Sequence, residues 1–422
     1  MTRGKRKKGK RLPLDQQARY LLRFKLTTPG GALLAVSLVT LSVGSSSMLI
    51  PVYQLVCAIF SLQLISFLAG WILRPRLKVS GHLPEKGVVN QPLQTEFRVQ
   101  NLGRWPVFDL AMHYFMLPKH LKSLGEEEHH AGLGRSDEAR MTASLLPEKR
   151  GVYSLNPPYL YTSFPFNLFR TRSDRRSRTF REERSLTVFP HFRPLESLVV
   201  PAKRRYQPGG VPYSSNIGES MEYVGNREYR PGDPLHRIDF RSWGRIAKPV
   251  VREYQEEYYL RIGIVLDTQL LNPRREPRTG HPTLEAAISL AAAVSDYLIG
   301  QDHVIDLFAA GKQVYRLTAG RHTAQLEQVL EILACLEPAT ENPFPKVNEE
   351  VGEYLAGISC LIGIFLSWDA EREKMVNEAS RMGCGNRILF VEDREGAIQE
   401  PKSFPSVRFS PNEILEGRVG SL

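Results

Sequence analysis

The sequence predicts an α/β protein built from a transmembrane helical hairpin, a small β-sandwich-like domain and a doubly wound α/β domain. Three observations predict this order. Residues 30–73 contain no Asp, Glu, Lys, Arg or His; short alternating runs dominate to about residue 195; continuous apolar runs and helical spacing follow. The predicted parts are a basic cytoplasmic tail at 1–29, the hairpin at 30–73, the β-rich domain at 75–195, a linker at 196–219 and the α/β domain at 220–422.

The composition of the 422 residues is that of a folded protein, with 42% hydrophobic and 24% charged residues. These values exclude a chain that is disordered throughout or a collagen-like repeat. The four cysteines are too far apart in the sequence for a disulfide framework or a C-x-x-C metal site. We therefore expect a reducing compartment.

The positive charge is concentrated at the N-terminus. The formal net charge is +11, and residues 1–25 supply +9 of it. This tail is expected to fix the membrane topology and to meet anionic lipid head groups, each charge near the surface being worth about 1 kcal/mol. Binding of nucleic acid by the tail is the alternative, but the near-neutral remainder predicts no nucleic-acid partner.

The 44-residue apolar stretch is more than twice the roughly 20 residues that one membrane helix needs. Small residues at 44–47 and Pro51 divide it into predicted spans at 31–49 and 52–73. A signal peptide would have a shorter apolar region and a cleavage site. A buried helical hairpin in a soluble core is the alternative. Basic residues flank both ends, so the positive-inside rule predicts two spans in the cell inner membrane with both termini cytoplasmic.

The β-rich domain is predicted from period-two runs such as 93–99, which a turn signal at 101–103 follows. Further short runs recur without helical periodicity, which is typical of a small antiparallel sandwich. The segment 126–130, Glu-Glu-Glu-His-His, resembles a metal cluster at first sight. Its turn-like surroundings favour a solvated loop.

The α/β domain is predicted from three continuous apolar runs that end at acidic residues, namely Asp267, Asp369 and Asp393. Strands alternate with helical spacing, which indicates a mostly parallel sheet. Such sheets bind ligands at the carboxyl ends of their strands, where carboxylates can hold Mg²⁺. Ordinary helix N-caps are the alternative role for these acids.

Common catalytic signatures are absent from the sequence: it contains no phosphate-binding loop, G-x-G-x-x-G, H-E-x-x-H or G-x-S-x-G. We therefore expect that the protein is not an enzyme. The alternative is a metal-dependent hydrolase or phosphotransferase that uses the strand-end carboxylates.

Arginines and acids alternate around a Pro-Gly-Asp turn in the segment 227–245. One interpretation is a salt-bridged network that braces the entry to the α/β domain. The other, compatible with it, is a docking surface anchored by aromatic and arginine side chains. The candidate partner-binding residues are Arg227, Arg230, Asp233, Arg237, Asp239, Arg241 and Trp243.

The run 227–242, together with Val-Arg-Glu-Tyr at 251–254, closely resembles the signature of the bacterial domain-of-unknown-function family 58. Members of that family carry a von Willebrand factor A-like domain, often behind two membrane spans and a β-rich region. They are commonly encoded beside MoxR-type AAA+ ATPases. The resemblance implies a membrane-anchored, cytoplasm-facing scaffold or adaptor for protein–protein interaction, which acts with such an ATPase in the assembly or maturation of envelope or secreted complexes.

The resemblance also implies where a metal-ion-dependent adhesion site would lie. Its D-x-S-x-S motif aligns with 267–271, where Gln269 and Leu271 replace both serines. Asp267, Thr323 and Asp369 are the residues left to form this degenerate site. We therefore expect no tightly bound cofactor, with Mg²⁺ as the alternative.

Overall fold

A computed structural model describes residues 25–46, 50–114, 117–125, 128–173, 184–201, 211–217, 223–231, 233, 235–258, 260–270, 277, 279–310, 314–319, 323–393, 398 and 404–422. The chain divides into two compact units. The first consists of 1–87, 91–147 and 153–186, and the second of 88–90, 148–152 and 187–422.

The α-helices of the described residues are numbered in chain order. They are α1 Thr28–Ser46, α2 Ile50–Ile72, α3 Phe240–Ile246, α4 Pro282–Gly300, α5 Thr323–Cys335, α6 Phe344–Tyr354, α7 Ala370–Arg381 and α8 Pro411–Leu415. Single 3₁₀ turns occur at Leu235–Arg237 and Leu355–Gly357.

The strands are numbered in the same way. Those up to residue 189 are β1 Leu77–Gly81, β2 Lys86–Val88, β3 Leu93–Asn101, β4 Val107–His113, β5 Leu121–Leu124, β6 Glu128–Leu133, β7 Glu138–Pro147, β8 Gly151–Leu155, β9 Tyr159–Thr162, β10 Thr171–Arg172 and β11 Arg184–Phe189. The later ones are β12 Val211–Ile217, β13 Tyr223–Glu228, β14 Val250–Tyr258, β15 Arg261–Leu266, β16 Val304–Ala310, β17 Val314–Ala319, β18 Cys360–Phe365, β19 Gly385–Val391 and β20 Ser406–Phe409.

Helices α1 and α2 form a hairpin, close to the predicted spans at 31–49 and 52–73. Within the described residues, two helical segments are long and apolar enough to cross a membrane, Tyr53–Ile72 of α2 and Pro282–Gly300, which is α4. Helix α1 adds a shorter apolar stretch, Thr28–Ser42. The two long segments differ in burial: α4 is mostly buried in the core of the second unit, whereas most large apolar side chains of α2 are exposed.

The β-rich region contains two four-stranded antiparallel sheets, with strand orders β1-β3-β7-β5 and β10-β9-β4-β6. In β3 the side chains alternate as predicted, with Phe97 and Val99 buried and their neighbour Arg98 exposed. A buried hydrogen bond between Thr95 Oγ1 and Tyr114 Oη, 3.2 Å long, joins the two sheets. Burial raises the pKa of Tyr114 to about 12. The prediction of a β-rich region is confirmed.

The prediction of a loop at 126–130 is wrong where the structure describes this segment. Residues 128–130 belong to β6, an edge strand of the second sheet, and residues 126 and 127 lie outside the described residues. His129 Nδ1 lies 2.7 Å from Asp109 Oδ1. An edge strand can expose both of its faces, so its sequence lacks the apolar alternation that identifies a strand.

The second unit is built on a six-stranded sheet with the order β17-β16-β15-β18-β19-β20. All neighbouring pairs are parallel except β16 and β17. Helices α4 and α5 contribute to the hydrophobic core on one face, and α6 and α7 to the core on the other. Strand β15 is buried on both faces, with Ile264 in one core and Val265 in the other. The predicted alternation of strands and helices is therefore confirmed.

A small antiparallel sheet, β12-β14-β13, precedes the main sheet. Its strand β12 lies within the segment 196–219, which the sequence predicts to be a linker. The residues of β12, Val-Pro-Tyr-Ser-Ser-Asn-Ile, are mostly turn formers, so only pairing with β14 shows that they form a strand.

Candidate functional site

The carboxyl end of β15 lies at a reversal of strand order, because the next strand along the chain, β16, pairs on one side of β15 and β18 pairs on the other. Open α/β sheets bind ligands in the crevice at such a point. Asp267 follows β15 directly, and Asp369 follows β18. The structure therefore brings together two of the three residues that the sequence predicts for a metal site.

The space between these carboxylates is occupied by the guanidinium group of Arg372, from the first turn of α7. Its Nε and Nη2 atoms donate to Asp267 Oδ2 at 3.0 and 2.8 Å. Its Nη1 donates to Asp369 Oδ2 at 2.7 Å, and Nη2 also donates to Gln269 Oε1 at 2.9 Å. The guanidinium carbon lies 4.1 Å from the centre of the Phe344 ring. The guanidinium cation of Arg372 therefore links the carboxylates that follow β15 and β18.

Asp267 is completely buried and has four hydrogen-bond donors. Besides the two from Arg372, its oxygens accept the backbone N–H groups of Gln269 at 2.9 Å and Leu366 at 3.1 Å. Burial raises the pKa of the Asp267 carboxyl, and the Arg372 guanidinium and the two N–H groups oppose that rise.

Asp369 takes the helix N-cap role that the sequence analysis gives as the alternative, and it also pairs with Arg372. Its Oδ1 atom accepts the backbone N–H of Arg372 at 3.0 Å and caps the N-terminus of α7. Its Oδ2 atom accepts Arg372 Nη1 and the side-chain amide of Asn342, the latter at 2.9 Å.

These residues do not fit a divalent cation while Arg372 is in place. The oxygens that would bind Mg²⁺ already accept bonds from a guanidinium, and two cations at this distance would repel each other strongly. Thr323 begins α5, but its side chain and the whole of Leu271 lie outside the described residues. Among the described residues, no group of three or more His, Cys, Asp or Glu is placed to hold a metal ion.

The third strand-end acid, Asp393, is exposed after β19. The buried acid there is its neighbour Glu392, which accepts Arg408 Nη1 at 2.9 Å and the backbone N–H of Ile398 at 3.1 Å. Arginine–carboxylate pairs therefore lie at three strand ends of the sheet, those of β15, β18 and β19.

Arg372 is the residue of this site that the sequence analysis misses. The available signal is its position three residues after a strand-end aspartate, in the first turn of the helix that this aspartate would cap. Such a residue can reach back over the helix N-terminus toward the strand ends.

The segment 227–245 contains ion pairs and a helix N-cap. These are contacts of the kind that the interpretation as a salt-bridged network predicts. Arg227 donates from Nη1 and Nη2 to Asp233 at 2.7 and 2.8 Å, a bidentate pair. The backbone N–H of Arg230 adds a third bond to Asp233, at 2.7 Å. The bond from the Arg227 side chain is the main cause that lowers the pKa of Asp233 to about 2.

Asp239 is the N-cap of helix α3. It accepts the backbone N–H groups of Arg241 and Ser242 at 3.1 and 3.3 Å and the Ser242 hydroxyl at 2.9 Å. Asn226 and Arg252 also contact its carboxylate. The hydrogen bond from the Ser242 side chain is the main cause that lowers the pKa of Asp239 to about 2. Arg227, Asp233 and Asp239 are thus structural members of the segment.

The other side chains of the segment are largely exposed. Leu235 and Phe240 are 69% and 70% exposed, Ile246 just after the segment is 59% exposed, and α3 has no buried residue. The Phe240 and Trp243 rings stack with their centres 5.9 Å apart. We call Leu235, Phe240, Trp243 and Ile246, with the exposed Arg230, Arg241 and Arg245, the arginine–aromatic surface.

Among the remaining positions, Arg237 is half-buried, and Gly232 and Pro234 lie outside the described residues. Large apolar side chains clustered on a surface among charged residues are typical of an interaction site. The segment therefore combines a hydrogen-bonded base with exposed apolar and arginine side chains.

Comparison with known proteins gives one family match. Residues 225–397 match the family described as "Protein of unknown function DUF58". No curated protein matches the chain.

Solved structures show weak likenesses. The crystal structure of the CARDB domain of the PF1109 protein from Pyrococcus furiosus, in complex with di-metal ions, is 18% identical, with 28% of this chain and 90% of that chain covered and a TM-score of 0.18. The complex of Zinc 2-glycoprotein and Prolactin inducible protein from human seminal plasma is 11% identical, with 28% and 97% covered and the same TM-score. Such scores carry no argument about fold or function. The family match supports the assignment of residues 225–397 to the DUF58 family of proteins of unknown function.

Proposed function

We propose that this protein is a membrane-anchored scaffold or adaptor whose α/β unit docks a protein partner through the arginine–aromatic surface. The main observation behind this proposal is the exposure of Phe240, Trp243 and Ile246 on a helix whose N-terminus is capped by Asp239. Aromatic and arginine side chains are the commonest anchors of protein interfaces. The three exposed arginines favour a partner with an acidic face.

The resemblance to the DUF58 family supports a MoxR-type AAA+ ATPase as this partner, acting in the assembly or maturation of envelope or secreted complexes. We also infer that the α/β unit is von Willebrand factor A-like. The support is its strand order, which in chain order of the six strands reads 3-2-1-4-5-6 with the third strand antiparallel at the edge.

The hairpin α1–α2 and its basic flanks support anchoring in the cell inner membrane with both termini in the cytoplasm. The alternative, a metal-dependent hydrolase or phosphotransferase, draws no support from Asp267 and Asp369, because Arg372 engages both carboxylates. Burial also raises the pKa of the Cys360 thiol to about 12, so this cysteine stays protonated and is a poor nucleophile.

Binding of the purified ATPase to the full-length protein in mild detergent tests the proposal. Trp243→Ala and Arg241→Ala should each weaken binding by at least about 2 kcal/mol if they are central anchors. Arg381→Ala, an exposed arginine at the end of α7, is the matched control and should bind normally. Normal binding by both surface variants would contradict the docking role.

A further inference from the structure

A basic pocket of about 490 Å³ lies in the first unit, where the apolar helix α2 ends. Its walls include Trp71 of α2, Arg74 and Arg76 just after the helix, and Arg104 and Trp105 from the turn between β3 and β4. All the described residues that line it are neutral or basic. The pocket therefore carries an excess of positive charge.

The position of the pocket along the chain points to a lipid. Arg74 and Arg76 follow the last helical residue, Ile72, by two and four positions. Trp71 and Trp105 are 70% and 66% exposed. Tryptophans near the ends of membrane helices lie at the level of the head groups. If α2 crosses the bilayer, as the proposed anchoring requires, the pocket lies at this level.

The wall of the pocket is held in place by Asn101, whose side chain is buried. Its Nδ2 donates to the carbonyl oxygens of Trp105, Leu133 and Gly134 at 2.9, 3.2 and 3.0 Å. Its Oδ1 accepts the Gly103 N–H at 2.8 Å. These bonds fix the turn that carries Arg104 before any ligand arrives.

The same turn is tied to the chain beyond α2, because the Leu102 N–H donates to the Arg76 carbonyl at 2.8 Å. Arg74 donates from Nε to the Arg172 carbonyl at 3.1 Å, and its two terminal nitrogens make no bond in the described part of the chain. Arg76 and Arg104 are exposed and have no carboxylate partner among the described residues. Guanidinium groups carried on a fixed backbone, with no counter-charge among the described residues, suit a phosphate, which they can bind bidentately.

We propose that this pocket binds the phosphodiester head group of an anionic phospholipid. The phosphate lies between Arg76 and Arg104, and Trp71 and Trp105 contact the glycerol and the upper acyl region. The proposal rests on the proposed membrane anchoring and adds a defined lipid site to it.

Native mass spectrometry of the full-length protein in detergent, with added phosphatidylglycerol or phosphatidylcholine, tests the pocket. The Arg76→Gln/Arg104→Gln variant should bind phosphatidylglycerol about 30-fold more weakly, since each charge is worth about 1 kcal/mol near an anionic surface. The matched control is Lys78→Gln/Arg98→Gln, which removes the same charge from exposed positions on β1 and β3 outside the pocket. It should bind the lipid within about twofold of the parent, because neither side chain lines the pocket or can contact a phosphate held there.

Three results would overturn the proposal: unchanged binding by the pocket variant, an equal loss in the control, or equal binding of phosphatidylcholine by the parent. Displacement of the lipid by millimolar inorganic phosphate would assign the site to a free anion and also overturn it.

A measurement on the unmodified protein guards against misfolding of the variant. In nanodiscs of one overall composition, brominated phosphatidylglycerol should quench tryptophan fluorescence more than brominated phosphatidylcholine does. Equal quenching by the two brominated lipids would contradict selective binding of phosphatidylglycerol in the pocket. Extraction of the protein from membranes by alkaline carbonate would instead refute the anchoring, so the two failures are distinguishable.

Discussion

Removal of the Arg372 side chain should strongly destabilise the second unit. The Arg372→Ala substitution takes away both donors that the side chain gives to Asp267 and the one that it gives to Asp369. Asp267 would remain completely buried with only two backbone donors. An unpaired charge in that position is strongly unfavourable.

The expected loss is about 3–5 kcal/mol, the usual cost of removing one partner from a buried ion pair. In a domain of roughly 150–250 residues, each kcal/mol shifts the melting temperature by about 2–4 °C. We therefore expect a fall of about 6–20 °C. Asp267→Asn should relieve much of it in the double variant, because the stranded charge is then absent.

The assay is thermal unfolding of the full-length protein in detergent, followed by tryptophan fluorescence. Trp368 reports on the site, since it precedes Asp369 and packs edge-on against Phe365 and Phe390 with ring centres 5.5 and 5.6 Å away. The control is Lys374→Ala, an exposed residue of the same helix.

Millimolar Mg²⁺ gives this experiment a second readout. In Arg372→Ala the oxygens of Asp267, Asp369 and Gln269 lose the guanidinium, and oxygen ligands of this kind suit Mg²⁺. Saturation about a hundredfold above the dissociation constant would restore about 2.7 kcal/mol in the variant and nothing in the parent. Stabilisation of the parent by Mg²⁺, or a loss no larger than that of Lys374→Ala, would refute the role assigned to Arg372.

Three further predictions concern the other parts of the chain. The pKa values of Asp233 and Asp239 lie near 2 in the folded protein and near 4 when unfolded, so the stabilisation that they provide should be complete above about pH 4 and lost as the pH falls toward 2. Hydrogen exchange of residues 223–246 as a function of pH measures this loss of stability. The Asp233→Asn substitution should remove part of the pH dependence. Asp239→Ala should lower the melting temperature, whereas Trp243→Ala should weaken partner binding and leave melting nearly unchanged; if every variant that loses the partner is also unfolded, the segment is only a brace. A reporter enzyme that works only in the cytoplasm should be active when fused after Leu422, and activity of a periplasmic reporter alone would show that the topology is wrong.

The elements that the sequence determines are those whose signals are local. A run without charged residues predicts the helices near 28–72, and alternation of apolar and polar residues predicts β3. A continuous apolar run that ends at an acidic residue predicts β15 and Asp267. Each of these signals arises from burial, because the buried positions of a helix or strand recur at a regular spacing and are occupied by apolar residues. The strand β6 has no such signal, because at the edge of its sheet neither face needs to be apolar.

The partners of the buried charges were decided only by the tertiary structure. Arg372 and Asp267 are 105 residues apart in the sequence, and no spacing rule relates them. Their contact requires β15 and β18 to be neighbours and α7 to begin over their ends. The same holds for the segment 227–245, where all the charged residues look alike in sequence. Arg227 pairs with Asp233 and Asp239 caps a helix, whereas Arg241 and Trp243 are exposed. Hydrogen-bond geometry in three dimensions determines which of these side chains find a partner within the protein.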